Sequence, residues 1–307
     1  MRIHPIEYGD VGFRKQPLSK GLWFSEGLTM FYADLLLRRA GIPVEHTTRI
    51  NHLEWLIQRY YSAAGNREVS PEKVSLASYG PEGMLGDYSG SSHLQGELLG
   101  TIFDLIIRDA TNGRKSMDDV MRLMMEKFSG EKGFTGKDIE SALKEISGRD
   151  FHQFFEDHVR GNKIIDFNKY LSMIGMKMEL SSTDAVNEEG KPLMDFRAYA
   201  FQRDGESIIR FGTTDPQTVW AKAGLHTGDV IKSVNDTIMK TPENFFRMIR
   251  KMQMGDRVII EVQRASGSSK IQVIMTGYKR AVVNITEKSG INERQKKLMK
   301  EWNEGGK

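Results

Sequence analysis

The period of the apolar residues changes once along this chain, and that change limits the possible architecture more than any single motif does. From Leu22 to about Met178 the runs are Trp23, Phe24, Leu28, Phe31, Leu35, Leu36, then Leu53, Leu56, Ile57, Tyr60, then Leu94, Leu98, Ile102, Leu105, Ile106. Recurrence every three to four positions places such residues on one helical face. Beyond Ser181 the pattern becomes short runs at 196–201, 207–211, 230–234, 257–263 and 270–275, which read as strands. One helix interrupts them, opened by Thr241 as N-cap and Pro242 at its first position and carrying Phe245, Met248 and Ile249. The first half is therefore expected to be an α-helical array and the second a small α+β barrel.

Local punctuation agrees with the helices. Gly41-Ile42-Pro43 closes the first in the order Gly then Pro, and Ser116 with Asp119, like Thr135 with Asp138, forms a capping-box pattern. A stretch rich in Gly, Ser and Pro at 63–92 is long for a plain connection and reads as a functional loop or an excursion over a site. The polar run 181–192 is the expected linker, with 1–180 before it, 193–285 after it and a tail or surface helix at 286–307. A length of 307 residues suits two domains.

Composition removes several chemistries. With no cysteine there is no disulfide, thiolate zinc site or cysteine nucleophile. The 44 Lys and Arg against 41 Asp and Glu leave a net charge of only +3, which is not the signature of a nucleic-acid binder. No apolar run reaches the roughly 18 to 20 residues of a membrane span, and the polar start broken by Pro5 is no signal peptide. None of the seven histidines stands in an H-E-x-x-H frame, and the bland reading of each is a solvated or singly hydrogen-bonded ring. Ser25 lacks the G-x-S-x-G frame of a nucleophile elbow. One carboxylate stands out: Glu26 lies among Trp23, Phe24, Leu28 and Phe31, where an unpaired charge is costly, so an arginine or a hydroxyl is expected to compensate it.

The run Leu22-Trp23-Phe24-Ser25-Glu26-Gly27-Leu28-Thr29, continued by Asp34-Leu35-Leu36-Leu37-Arg38-Arg39-Ala40-Gly41, resembles the zinc-glutamate helix of the glycyl-aminopeptidase family of gluzincin metallopeptidases. The resemblance continues through Gly96-Glu97-Leu98-Leu99, Asp104-Leu105-Ile106-Ile107-Arg108 and Ser116-Met117-Asp118-Asp119-Val120-Met121. Ala223-Gly224-Leu225-His226-Thr227-Gly228-Asp229-Val230-Ile231 is similar to a PDZ signature. What it implies is a helical, thermolysin-like catalytic subdomain followed by a PDZ-like β-barrel. The family's H-E-x-x-H is expected just upstream of Arg2-Ile3-His4-Pro5, so this chain supplies Glu26 alone to a His₂Glu zinc site. Zinc is implied for the intact protein, while this chain by itself is expected to be metal-free and inactive.

The departures from the family define the remaining expectations. Where the family carries a tyrosine pair, this sequence reads Ser92-His93-Leu94-Gln95-Gly96, so His93 or the nearby Tyr88 would have to assist the oxyanion. Arg197 stands where a carboxylate-binding loop usually has glycine. The resemblance implies hydrolysis near a peptide N-terminus, in a bacterial and often exported setting. The rival is a non-catalytic protein that binds a C-terminal peptide or partner in a groove formed by Phe196, Arg197, Ala198, Phe245 and Ile249.

Overall fold

The computed structural model describes residues 3–9, 17–203 and 205–304. Its first half is helical: α1 (Leu22–Arg39), α2 (Arg49–Ser62), α3 (Ala64–Glu68), α4 (Pro71–Ala77), α5 (Ser92–Thr111), α6 (Met117–Phe128), α7 (Gly136–Ser147), α8 (His152–Phe155) and α9 (Phe167–Leu171). Then follow β1 (Met176–Asp184), β2 (Ala198–Phe201), β3 (Arg210–Thr213), α10 (Val219–Lys222), β4 (Val230–Val234) and β5 (Thr237–Ile238). The chain closes with α11 (Pro242–Ile249), β6 (Arg257–Arg264), β7 (Gly267–Ile274), β8 (Lys279–Glu287) and α12 (Glu293–Asn303). No helix among the described residues is long and apolar enough to cross a membrane.

The capping residues act as the sequence suggests. The Ser116 and Thr135 N–H groups donate to Asp119 Oδ2 at 2.9 Å and Asp138 Oδ2 at 2.8 Å, and Gly41 takes the left-handed conformation at φ 69° that ends α1. The stretch 63–92 is not an open loop. It holds α3, α4 and a turn, and Ser75 Oγ of α4 accepts the Trp23 N–H at 2.9 Å, which satisfies a donor that α1 itself cannot satisfy.

Two hydrophobic clusters form. The larger joins Trp23, Phe24, Leu98, Phe103, Phe151 and Phe155 to Val283, Ile285, Leu298 and Trp302 from the far end of the sequence. The smaller gathers Phe211, Trp220, Phe245, Val258, Ile260 and Val273 under an antiparallel sheet of order β2-β3-β4-β6-β7, with β5 on β4. This sheet is open, because β2 and β7 do not pair, so the expected barrel is not closed.

The expected linker 181–192 also differs, since its first four residues belong to β1. That strand pairs with β8 in the register Met176↔Glu287 to Asp184↔Lys279. The segment expected as a tail is buried at Leu298 and Trp302, and only positions 305–307 of it lie outside the described residues. Arg49 fixes it in place: its Nη1 donates to the Trp302 carbonyl at 2.7 Å, its guanidinium lies 4.3 Å from the Trp302 ring, and Asp104 Oδ2 is 3.8 Å away. Burial pulls the Arg49 pKa down to about 10, so the group stays charged at neutral pH. Between the two clusters, Asp215 Oδ2 accepts the Ala64 N–H at 2.8 Å. Asp87 accepts the Thr227 N–H at 2.6 Å and meets His226 Nδ1 at 2.8 Å.

Two predictions follow from this connectivity. Limited proteolysis should cut first at the exposed turn 187–193, yet the nicked chain should elute at its full size, because β1 and β8 lie on opposite sides of the cut and remain paired. Separation of the two pieces under native conditions would contradict that packing. The second concerns pH. Burial acts to raise the Asp87 carboxyl, but the Thr227 N–H and the His226 ring outweigh it and hold the pKa below the ordinary 3.8. The contribution of this contact is therefore full above pH 3.8 and lost as the pH falls through the lowered value. Asp87→Asn should lower stability above pH 3.8 and flatten the acid limb of a stability–pH curve in that window, leaving its slope near neutral pH unchanged.

Candidate functional site

Two glycines bring the candidate residues together. A Cβ built on Gly96 would fall 1.7 Å from the Trp23 carbonyl oxygen, and one on Gly27 would fall 2.2 Å from the Gly96 Cα. Helices α1 and α5 thus meet backbone to backbone, which larger residues forbid. Glu26 precedes Gly27, and His93 lies three residues before Gly96, so both flank this crossing. Their side chains meet with His93 Nε2 3.2 Å from Glu26 Oε2 and with 53% and 38% exposure.

Glu26 therefore does not lie inside the apolar stripe of α1. Trp23, Phe24, Gly27, Leu28 and Phe31 face the core, whereas Glu26 falls roughly a third of a turn off the centre of that stripe, at its rim. Its compensating partner is a histidine, not the arginine or hydroxyl expected. One turn further along α5, Glu97 is buried and accepts from His52 Nε2 of α2 at 2.7 Å. Sequence reasoning missed this second pair, whose members lie 45 positions apart with no local pattern to join them.

Three further histidines lie away from this contact. His4 bonds the Pro5 and Gly130 carbonyls at 2.8 and 2.9 Å, His158 bonds the Lys163 carbonyl at 2.8 Å, and His152 meets Glu140 at 3.2 Å. Tyr88 is not part of the Glu26–His93 contact. Its hydroxyl donates to Glu68 Oε2 at 3.2 Å, and it lines, with Tyr199, a separate cleft of about 360 Å³. Desolvation and the Glu68 charge raise its pKa.

Residues named for the peptide groove divide between surface and core. Phe196 is 39% exposed. Arg197 makes paired hydrogen bonds to Asp195 at 2.9 and 3.0 Å and lies 4.5 Å from the Tyr278 ring centroid. Ala198, Phe245 and Ile249 are buried in the smaller cluster, with the Phe245 ring against Phe211 and Trp220. Among the described residues, no group of three or more His, Asp and Glu side chains is arranged to hold a metal ion.

Residues 1–93 match the family model of the M61 glycyl aminopeptidases. This bears out the resemblance drawn from Leu22 to Gly41. A crystal structure of an aminopeptidase N family protein from Idiomarina loihiensis overlaps 98% of this chain with a TM-score of 0.61 at 19% identity. This chain spans 51% of that protein's length, so the overlap speaks to the fold. The HtrA3 PDZ domain bound to a phage-derived ligand overlaps 37% of this chain at 12% identity, with a TM-score of only 0.22. No curated protein is significantly similar in sequence.

The glycine crossing makes a direct prediction. Gly96→Ala must push α1 from α5 and should lower unfolding stability by about 3 kcal/mol in a urea titration. Gly136→Ala, whose added Cβ would meet nothing nearer than Glu72 Oε1 at 3.7 Å, should stay within about 0.5 kcal/mol of the parent.

Proposed function

We propose that this chain, whose residues 1–93 match the model of the M61 glycyl aminopeptidases, is the C-terminal portion of a zinc-dependent aminopeptidase-like protein that cleaves peptide bonds near the N-terminus of its substrate. The observation that carries this reading is the Glu26–His93 contact at the α1–α5 crossing. The residues present fit one vertex of a His₂Glu site: Glu26 offers an accessible carboxylate on a rigid helix, with the two histidines coming from an H-E-x-x-H segment. Zinc, when bound there, supplies Lewis-acid polarisation and a reactive water.

This chain's own residues then have separable roles. Glu26 would hold the metal, and the close packing at Gly27 and Gly96 fixes where its carboxylate stands. His93, in the place of the family's tyrosine, orients Glu26 through Nε2 and, when protonated, offers a donor to a developing oxyanion. In this reading 1–180 completes the catalytic unit, and the PDZ-like part packs beside it.

The rival reading keeps the peptide- or partner-binding role in the sheet. It rests on β2, which pairs only with β3 and so has one unpaired edge beside exposed Phe196. Burial of Phe245 and Ile249 removes the side-chain pocket that such a groove would use.

The test uses the chain joined to an N-terminal part bearing H-E-x-x-H. Glu26→Gln should lose bound zinc on metal analysis after gel filtration and lower turnover of aminoacyl substrates on the order of 100-fold or more. Ser25→Ala should retain both. His93→Ala should retain zinc while kcat falls on the order of 100-fold with little change in KM. Zinc retained at full stoichiometry by the Glu26→Gln protein would overturn the assignment.

A further inference from the structure

The six-stranded sheet ends on one side at β7, which pairs with β6 alone among the strands. Their register runs from Arg257↔Ile274 to Arg264↔Gly267 without a shift. On the far side of β6, the Ile259 N–H donates to Asn235 Oδ1 and the Ile259 carbonyl accepts the Asn235 N–H, both at 2.8 Å. Ile259 therefore directs its backbone groups away from β7. Residues opposite each other in an antiparallel pair share orientation, and orientation alternates along the strand. Gln272 faces Ile259, so the N–H and C=O groups of Ser268, Lys270, Gln272 and Ile274 point outward from the sheet. The Met275 N–H has the opposite phase and donates inward to the Asp256 carbonyl at 2.9 Å.

Beyond Met275 the segment before β2 covers this edge. The Asp195 N–H donates to the Thr276 carbonyl at 2.9 Å, and Met194 bridges Gly277. The cover stops there. Among the described residues, none hydrogen-bonds the outward backbone groups of 268, 270, 272 or 274, and all four of these residues are exposed.

Sheet edges are ordinarily kept from pairing by shortness, a proline, a bulge, a covering element or a charge. Strand β7 has eight residues and neither proline nor bulge. Its one charge, Lys270, is cancelled locally, because Nζ lies 3.1 Å from Asp236 Oδ1 and Glu261 stands directly across on β6. At the other side of the sheet, β2 has only four residues.

We propose that β7 is a self-association edge, at which two copies of this chain pair β7 to β7, antiparallel, about a two-fold axis at Ile271. Outward residues must meet outward residues, and centring on Ile271 is the register that uses all four. It sets Lys270 opposite Gln272 of the second copy and Ser268 opposite its Ile274, so no like charges are directly opposed. Centring on Lys270 or Gln272 shortens the row, and the first of these opposes two lysines. With Ser, Lys, Gln and Ile side chains the row has little by which to select a foreign sequence, whereas a second copy brings a strand of the same length with matched ends. The same patch serves on both copies, so the assembly closes at two. The proposal stands independently of the peptidase reading.

The experiment uses the full chain, which has no cysteine, so that introduced thiols are the only ones present. Light scattering after gel filtration should show a mass that rises from one chain toward two as concentration approaches the order of 100 µM. Lys270→Cys and Gln272→Cys proteins, oxidised as a mixture, should form a crosslinked heterodimer, because directly opposite Cα atoms lie about 5.5 Å apart. Each variant oxidised alone should crosslink about tenfold less, since its two thiols would be diagonal neighbours about 7 to 8 Å apart. Gln272→Lys sets a lysine against Lys270 twice and should raise the dimer dissociation constant on the order of tenfold, and combining it with Lys270→Glu should restore the dimer through two opposite-charge pairs. The amides of 268, 270, 272 and 274 should exchange more slowly at high concentration, while those of 269, 271 and 273, already in the β6 ladder, should not change. A monomer at every concentration, single variants that crosslink as well as the mixture, or species that grow beyond two chains would overturn the proposal. So would a dimer that Gln272→Lys leaves unaffected, since its interface would then lie on another surface.

Discussion

The approach of Gly27 to Gly96 is the contact on which the helical half depends. Without side chains at the crossing, the α1 and α5 backbones touch, and a Cβ at either position would occupy space already filled by backbone atoms. The aromatic residues of α1 are thereby set against Phe103 and Phe155, with Trp23 at 6.3 and 6.1 Å from their ring centroids. The same geometry leaves Glu26 at the rim and brings it to His93. Core and candidate site are thus two consequences of one steric allowance.

The second organising feature is the return of the C-terminus. Strand β8 and helix α12 leave the sheet and complete the helical core, where Val283, Ile285, Leu298 and Trp302 are buried. Arg49 and Arg108 converge on Asp104, whose other oxygen accepts the Met117 N–H at 2.9 Å. A buried charge cluster of this kind is costly to break because removing one member strands the others. It ties α2, α5, α6 and α12 into one unit. The sheet, flanked by segments that both belong to the helical half, is inserted between them.

That insertion shapes a cleft. The β1–β8 pair forms one wall of the 1020 Å³ cleft, and the sheet forms the other. Polar contacts from Asp87 and Asp215 hold the walls together at one end.

The amino-acid sequence by itself determined the long helices of the first half, their caps and most strands of the six-stranded sheet, because periodicity, Asp at the third helical position and Gly after a helix act within a few residues. It also marked Glu26 and His93 through family resemblance. What it could not show was β1, whose mostly polar residues gain strand character only from a partner about a hundred positions away. For the same reason the open edge of the six-stranded sheet, the burial of Phe245 and Ile249, and the docking of Trp302 were decided by tertiary structure alone. Each depends on which surfaces meet across long sequence separations, and local pattern carries no information about that. Even the histidine beside Glu26 follows this division: the two residue types were legible, but only the backbone contact of Gly27 and Gly96 made them neighbours.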